Sequence, residues 1–104
     1  LAKAQGDIYS SRLGRTETLR TFTRFYPDGI SDALIFFNYI NLIDIDNAVL
    51  RNVESYGSHI SLKTSDAIHL STAQLLLGAD GALITFDKQM ALNADRLGIK
   101  TLTR

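Results

Sequence analysis

The chain has 104 residues, 45% of them hydrophobic and 21% charged, with Lys+Arg 11 balancing Asp+Glu 11. That composition describes one ordinary soluble globular domain built on a single core, and it excludes a disordered tail. Balanced charge also excludes coating of nucleic acid through bulk positive potential, so any contact with nucleic acid must be local.

No run approaches the ~18 consecutive apolar residues of a membrane span, and no basic segment followed by an apolar one opens the chain. The expectation is a cytoplasmic protein without a membrane partner. Cys 0 rules out a disulfide framework, a thiolate metal site and a cysteine nucleophile. Any metal would need oxygen or imidazole ligands, and oxygen ligands point to magnesium or manganese.

In chain order, "LAKAQGD" from Leu1 reads as the last turn of a helix running into a turn, with no initiator methionine before it. The natural protein is therefore expected to be longer. "DIYSS" at 7–11 is a short strand closed by serines, and "RTETLRTFTRFY" at 15–26 is an amphipathic helix, with Leu19, Phe22 and Tyr26 at offsets of three and four. "YPDG" ends it, and Ser31 is the expected N-cap of "DALIFFNY". "NLIDI" at 41–45 is the next strand. Asp46 or Asn47 caps the helix "AVLRNVESYG", which Gly57 terminates. A helix over about 64–77 ends in the same way at Gly78.

"GALITF" at 81–86, "KQMALNADRLG" at 88–98 and "IKTL" at 99–102 read as strand, helix and strand, the order of a right-handed crossover between parallel strands. Strands that are apolar without alternation fit a sheet covered on both faces. The predicted fold class is α/β, a three-layer α/β/α sandwich with a mainly parallel sheet, in a single domain over 1–104.

Three acids stand out. Asp66 lies in the first turn of its helix, where favourable interaction with the helix dipole, worth about 0.3–1 kcal/mol, would explain it. It also heads the row Asp66, Leu70, Ala73, Leu77 on one face, and a charge atop an apolar stripe seldom lacks a partner. Asp87 follows "LITF", either as the N-cap of the next helix or as a ligand at the carboxyl end of a parallel strand. Thr85 points to the same side of that strand. Glu17 suits either a dipole effect or an exposed pair with Arg20.

If strands 7–11 and 82–86 are parallel, Glu17, Asp66 and Asp87 meet at one edge of the sheet. Two carboxylates about 4 Å apart repel by roughly 4 kcal/mol at an effective dielectric near 20, more than a cap contributes. Such a cluster needs a cation or shared protons. His69 reads as a helix-packing residue, and His59 as part of a polar loop. Of the arginines Arg12, Arg15, Arg20 and Arg24, Arg20 and Arg24 share a helix face with Glu17 and either neutralise it or extend a phosphate-binding strip.

"SLKTSDAIHLSTAQLLLGA", "LITFDKQMALNADRLGI" and "YSSRLGRTETLRTF" together resemble motifs of PIN-domain proteins, particularly the VapC-type toxins of bacterial toxin–antitoxin pairs. The resemblance covers essentially the whole chain. It implies a PIN-like sandwich and a metal-dependent endoribonuclease in which an acid quartet binds Mg²⁺ or Mn²⁺. Glu17, Asp66 and Asp87 match three of these acids, and Thr85 the hydroxyl near them.

The family's first acid, in an opening strand that reads like L-D-T-S, has no counterpart here. On the scale of one strand and two helices, roughly thirty to forty residues are expected to be absent. The missing strand is, by resemblance, the central one. The remaining strands should then form two separated pairs, with the gap filled upstream, by rearrangement or by another chain. The resemblance further implies an RNA substrate, products with 5′-phosphate and 3′-hydroxyl ends, a homodimer and a cognate antitoxin. The alternative is a PIN-like RNA-binding or protein-interaction module that does not cut.

Overall fold

Ser11 is both the last residue of the first strand and the first cap of the chain. In the computed structural model, which describes residues 8–77, 81–85 and 87–102, its extended backbone ends β1 (Tyr9–Ser11) and its hydroxyl accepts the Gly14 N–H at 2.9 Å. Helix α1 therefore runs Arg12–Phe25 and starts three residues earlier than predicted. The offsets of Leu19, Phe22 and Tyr26 mark only the packed face, whereas the cap fixes the start. The opening "LAKAQGD", the predicted terminator Gly78 and Phe86 lie outside the described residues.

The chain divides into two compact units, Leu1–Asp44 and Ile45–Arg104. In the first, α1 is followed by a 3-10 turn, Pro27–Gly29, that runs directly into α2 (Ile30–Asn38). Gly29, not Ser31, is the N-cap of α2, so the predicted cap is corrected: the turn already places residue 30 in helical geometry. Gly29 is required by close approach, because a Cβ there would stand 2.9 Å from Phe22 Cε2. Helix α2 buries Ala33 and Phe37, one turn apart, while Leu34, Ile35 and Phe36 stay exposed. Strand β2 (Asn41–Ile43) pairs parallel with β1, Ser10 opposite Leu42.

In the second unit, Asp46 supplies the cap foreseen for α3 (Asn47–Glu54), its Oδ1 accepting the Val49 N–H at 3.0 Å. The helix ends three residues before Gly57, which is therefore not its terminator: Ser55 closes it, its hydroxyl donating to the Asn52 carbonyl at 2.7 Å. Helix α4 (Thr64–Leu76) packs on α3 through a polar cluster. The Asn52 amide donates to Gln74 Oε1 at 2.8 Å and Ser71 Oγ at 2.9 Å, the Tyr56 hydroxyl donates to Gln74 Oε1, and Ser71 donates to the Val49 carbonyl. Ser71 is fully buried, so each bond here replaces one with water.

Burial pushes the Tyr56 hydroxyl above its ordinary value near 10, with Ser71 and Asn52 acting in the opposite direction. The fold thus favours the neutral phenol. Its contribution to stability is intact below pH 10 and is lost as pH rises through the raised value. Urea midpoints above pH 10 should fall more steeply for the wild type than for Tyr56→Phe; parallel declines would contradict this.

The loop from Tyr56 to Lys63 is tied to α5 (Lys88–Arg96). Asn93, fully buried, accepts the Ser61 N–H at 2.8 Å on Oδ1 and donates to the Gln89 carbonyl at 2.8 Å, and Arg96 donates to the His59 carbonyl. Strands β3 (Leu83–Ile84) and β4 (Thr101–Leu102) pair parallel across α5, as the strand–helix–strand pattern requires. Gly98 leaves α5 at φ +75°, the left-handed geometry that glycine adopts at least cost, and the Ile99 N–H then closes on the Ala94 carbonyl. Leu70, Met90 and Ala94 form the buried cluster, with Ile60, Leu62, Leu83, Leu97 and Ile99 around it.

The fold is α/β with short parallel strands, and among the described residues they form two separate two-stranded sheets, β1–β2 and β3–β4. Two separated pairs are what the family resemblance implies for the strands of this sequence.

Candidate active site

Asp87 stands where β3 gives way to α5. Its Oδ1 accepts the N–H groups of Gln89 at 2.8 Å and Met90 at 3.3 Å, which makes it the N-cap of α5. Thr85 sets it in place: the Thr85 hydroxyl accepts the Asp87 N–H at 3.1 Å, while the Thr85 N–H extends the ladder to the Leu102 carbonyl. One carboxylate oxygen holds the helix. Among the described residues no hydrogen bond or ion pair reaches the other, and the residue is exposed.

Asp66 is in the first turn of α4, whose N-cap, Lys63, offers no side-chain cap. The acid supplies the negative charge that the positive end of that helix favours. It is half-buried and, among the described residues, makes no hydrogen bond or ion pair. The buried face of α4 centres on Ala67, Leu70, Ser71 and Thr72 rather than on the predicted row, since Ala73 and Leu77 are only half-buried. Asp66 therefore borders the apolar face instead of topping it. Leu70, one turn beyond Asp66, and Met90, one turn beyond Asp87, belong to the same buried cluster, so both acids open helices anchored on one core.

Glu17 is exposed in the second turn of α1, in the first unit, whereas Asp66 and Asp87 belong to the second. Among the described residues β1 and β3 do not share a sheet: β1 pairs with β2, and β3 with β4. Nor, among those residues, is any group of three His, Asp or Glu side chains placed to hold a metal ion. Arg12, Arg20 and Arg24 are exposed on α1 and Arg15 is half-buried. Arg12 Nε lies 3.8 Å from Asp44. Arg24 covers the Phe25 ring at 5.1 Å from its centroid, a contact signalled only by the run R-F-Y at the helix end. His59 contributes its carbonyl to Arg96, and His69 is half-buried.

The family model of the PIN domain matches residues 1–96. The chain belongs to the PIN-domain family. No curated protein and no solved structure matches it. PIN domains are generally nucleases and typically use divalent metal ions, and no helix among the described residues is long and apolar enough to cross a membrane.

The donors of this PIN domain suit a hard divalent ion in kind. Asp66 and Asp87 offer carboxylate oxygens, Asp87 keeps one oxygen clear of its cap, and thiolates are absent from the whole sequence. Magnesium characteristically binds through one or two carboxylates, with waters and substrate phosphates completing its shell, which asks less of the protein than a cage of ligands.

The cap also makes Asp87 separable into two roles. Asparagine caps about as well as aspartate, so Asp87→Asn should change the unfolding free energy by no more than about 0.5 kcal/mol, whereas Asp87→Ala should cost about 1 kcal/mol. Urea denaturation checks both; an equal loss in the two variants would show that charge, not capping, is what the fold uses.

Proposed function

We propose that this PIN domain is a metal-dependent endoribonuclease of VapC type, the toxin of a toxin–antitoxin pair, acting on RNA in the cytoplasm. The observation that carries the reading is Asp87: at the carboxyl end of a parallel strand it holds α5 with one oxygen and presents the other. Open α/β sheets bind their ligands at such strand ends.

Asp66, Asp87 and Glu17 would hold Mg²⁺ or Mn²⁺. When bound, the ion supplies charge for the scissile phosphate and lowers the pKa of water. The chain's own work is positional. Thr85 fixes the backbone of Asp87, the α5 cap fixes the carboxylate, and the core beneath Leu70 and Met90 holds the two helix starts. Water attacks phosphorus, the 3′-oxygen leaves, and the products carry 5′-phosphate and 3′-hydroxyl ends. Arg12, Arg15, Arg20 and Arg24 contribute charge toward the RNA backbone. A homodimer and an antitoxin complete the proposal, and exposed Ile35, Phe36 and Tyr39 on and just after α2 give such partners apolar surface.

The test is cleavage of end-labelled single-stranded RNA with Mn²⁺ and with EDTA. Cleavage only with Mn²⁺, leaving 5′-phosphate ends and lost in Asp87→Asn, is expected; metal-independent cleavage, or full activity in that variant, contradicts the reading. A second reading, an RNA-binding or protein-interaction module that does not cut, is favoured by one observation: no three candidate ligands gather among the described residues.

A further inference from the structure

Helix α1 presents one solvent-facing row to which the nuclease reading gives only a general charge toward the RNA backbone. Arg12, Thr16, Arg20 and Arg24 follow one another at intervals of four residues, and all four are exposed. At about 1.5 Å per residue, each step is about 6 Å along the axis, so the row offers one phosphate-sized station per turn. Thr16 spends its hydroxyl proton on the Arg12 carbonyl at 3.1 Å, which leaves the three arginines as the donors. Arg12 is only loosely held: its contact with Asp44 is 3.8 Å long, with the two side chains 55% and 86% exposed, and a pair in that setting contributes little and yields readily to a phosphate. Glu17 is the single acid on this helix, against four arginines.

The row ends on aromatic rings. Arg24 lies over the Phe25 ring at 5.1 Å, and Phe25 and Tyr26, each 62% exposed, are tilted toward each other with centroids 6.4 Å apart. Large rings at that exposure bury little of their own area in the fold. Exposed aromatic rings are the surfaces on which unpaired bases stack, and a basic track leading to such rings is how proteins hold single strands. An acidic protein segment would use the arginines but gain nothing from the rings.

We propose that the exposed face of α1 binds single-stranded nucleic acid, with Arg20 and Arg24 on neighbouring phosphates, Arg12 on one further along, and one base stacked at the Arg24–Phe25–Tyr26 end. The inference rests on the nuclease reading for the identity of the strand as RNA, and it adds to that reading the helix face that carries the strand and the rings on which a base stacks.

Binding of a fluorescein-labelled ten-nucleotide RNA, measured by anisotropy in EDTA across a salt series, tests it without cleavage. Arg20→Ala and Arg24→Ala should each weaken binding several-fold and reduce the slope of log affinity against log salt by roughly 0.7. Phe25→Ala should weaken binding about tenfold with the slope unchanged, and Arg24→Lys should keep the slope while losing affinity. A duplex of the same length should bind more weakly than the single strand. Unchanged binding in Arg20→Ala and Arg24→Ala, an inert Phe25→Ala, duplex binding as tight as single-strand binding, or equal binding of labelled poly-glutamate would each overturn the proposal. These readouts do not involve catalysis: a protein that binds in this pattern but never cuts removes the nuclease reading alone, and one that cuts while these variants bind normally removes the α1 site alone.

Discussion

Asn93→Leu is expected to lower the unfolding free energy by about 2–4 kcal/mol. Leucine keeps the branching of asparagine but is bulkier, so the loss combines the missing hydrogen bonds with overpacking at a fully buried position. The side chain of Asn93 is fully buried; its Oδ1 receives the Ser61 N–H at 2.8 Å, and its Nδ2 donates to the Gln89 carbonyl at 2.8 Å and to Ser61 Oγ at 3.4 Å. Removing the acceptor strands the Ser61 N–H against an apolar group, at about 1–3 kcal/mol, and frees the loop that leads into α4. A domain of this size has only about 5–15 kcal/mol to lose. Urea unfolding should show a lowered midpoint with an unchanged slope; a midpoint equal to the wild type's would mean that the loop is not held from α5.

Asp66→Asn is expected to reduce Mn²⁺-dependent RNA cleavage by more than about 100-fold, while costing only about 0.3–1 kcal/mol in stability through the lost helix-dipole interaction. The disparity is the point of the substitution. Loss of an outer-shell partner of a metal ligand typically costs about 10–100-fold, and loss of a ligand should exceed it. If Asp66 served only the helix, activity would follow the small change in stability. Single-turnover cleavage at saturating Mn²⁺ and at limiting Mn²⁺, beside a urea titration of the same variant, separates the two cases. Retained activity in a folded Asp66→Asn protein would remove the residue from the site.

Much of this fold is written in local chemistry. Asp46 and Asp87 each follow a strand and precede a helix, and each accepts backbone N–H groups from the first turn as capping preferences require. The order of strands and helices, and the parallel pairing of β3 with β4 across α5, follow from the alternation of β-prone and helical runs. The errors cluster where two local signals compete. Ser11 closes a strand and caps a helix at once, so strand chemistry masked the helix start. Ser31 is a good cap residue in the wrong place, because the 3-10 turn at Pro27–Gly29 has already turned the backbone. Gly57 resembles a helix terminator, yet the Ser55 hydroxyl satisfies the helix end before the chain reaches it.

Long-range ties carried no such signal. Nothing in the sequence near Asn93 or Arg96 points to Ser61 and His59, more than 30 residues away, since these bonds exist only once the loop lies against α5. The same limit applies to the site. Asp87 was legible because its cap, its strand and Thr85 are neighbours in sequence. A meeting of Glu17 with Asp66 and Asp87 has no such local signal, because the three lie far apart in the sequence. Four arginines on α1 were visible as charge, but the placement of Arg24 over the Phe25 ring required the helix end to be seen.

The central claim is that Asp66 and Asp87 are metal ligands of a PIN nuclease, and Mn²⁺ titration of the intact protein tests it most directly. Saturable binding in the micromolar to millimolar range, weakened strongly in Asp66→Asn and Asp87→Asn while both variants remain folded, is the predicted result. Absence of a saturable site, or a site of equal affinity in the two variants, would contradict it.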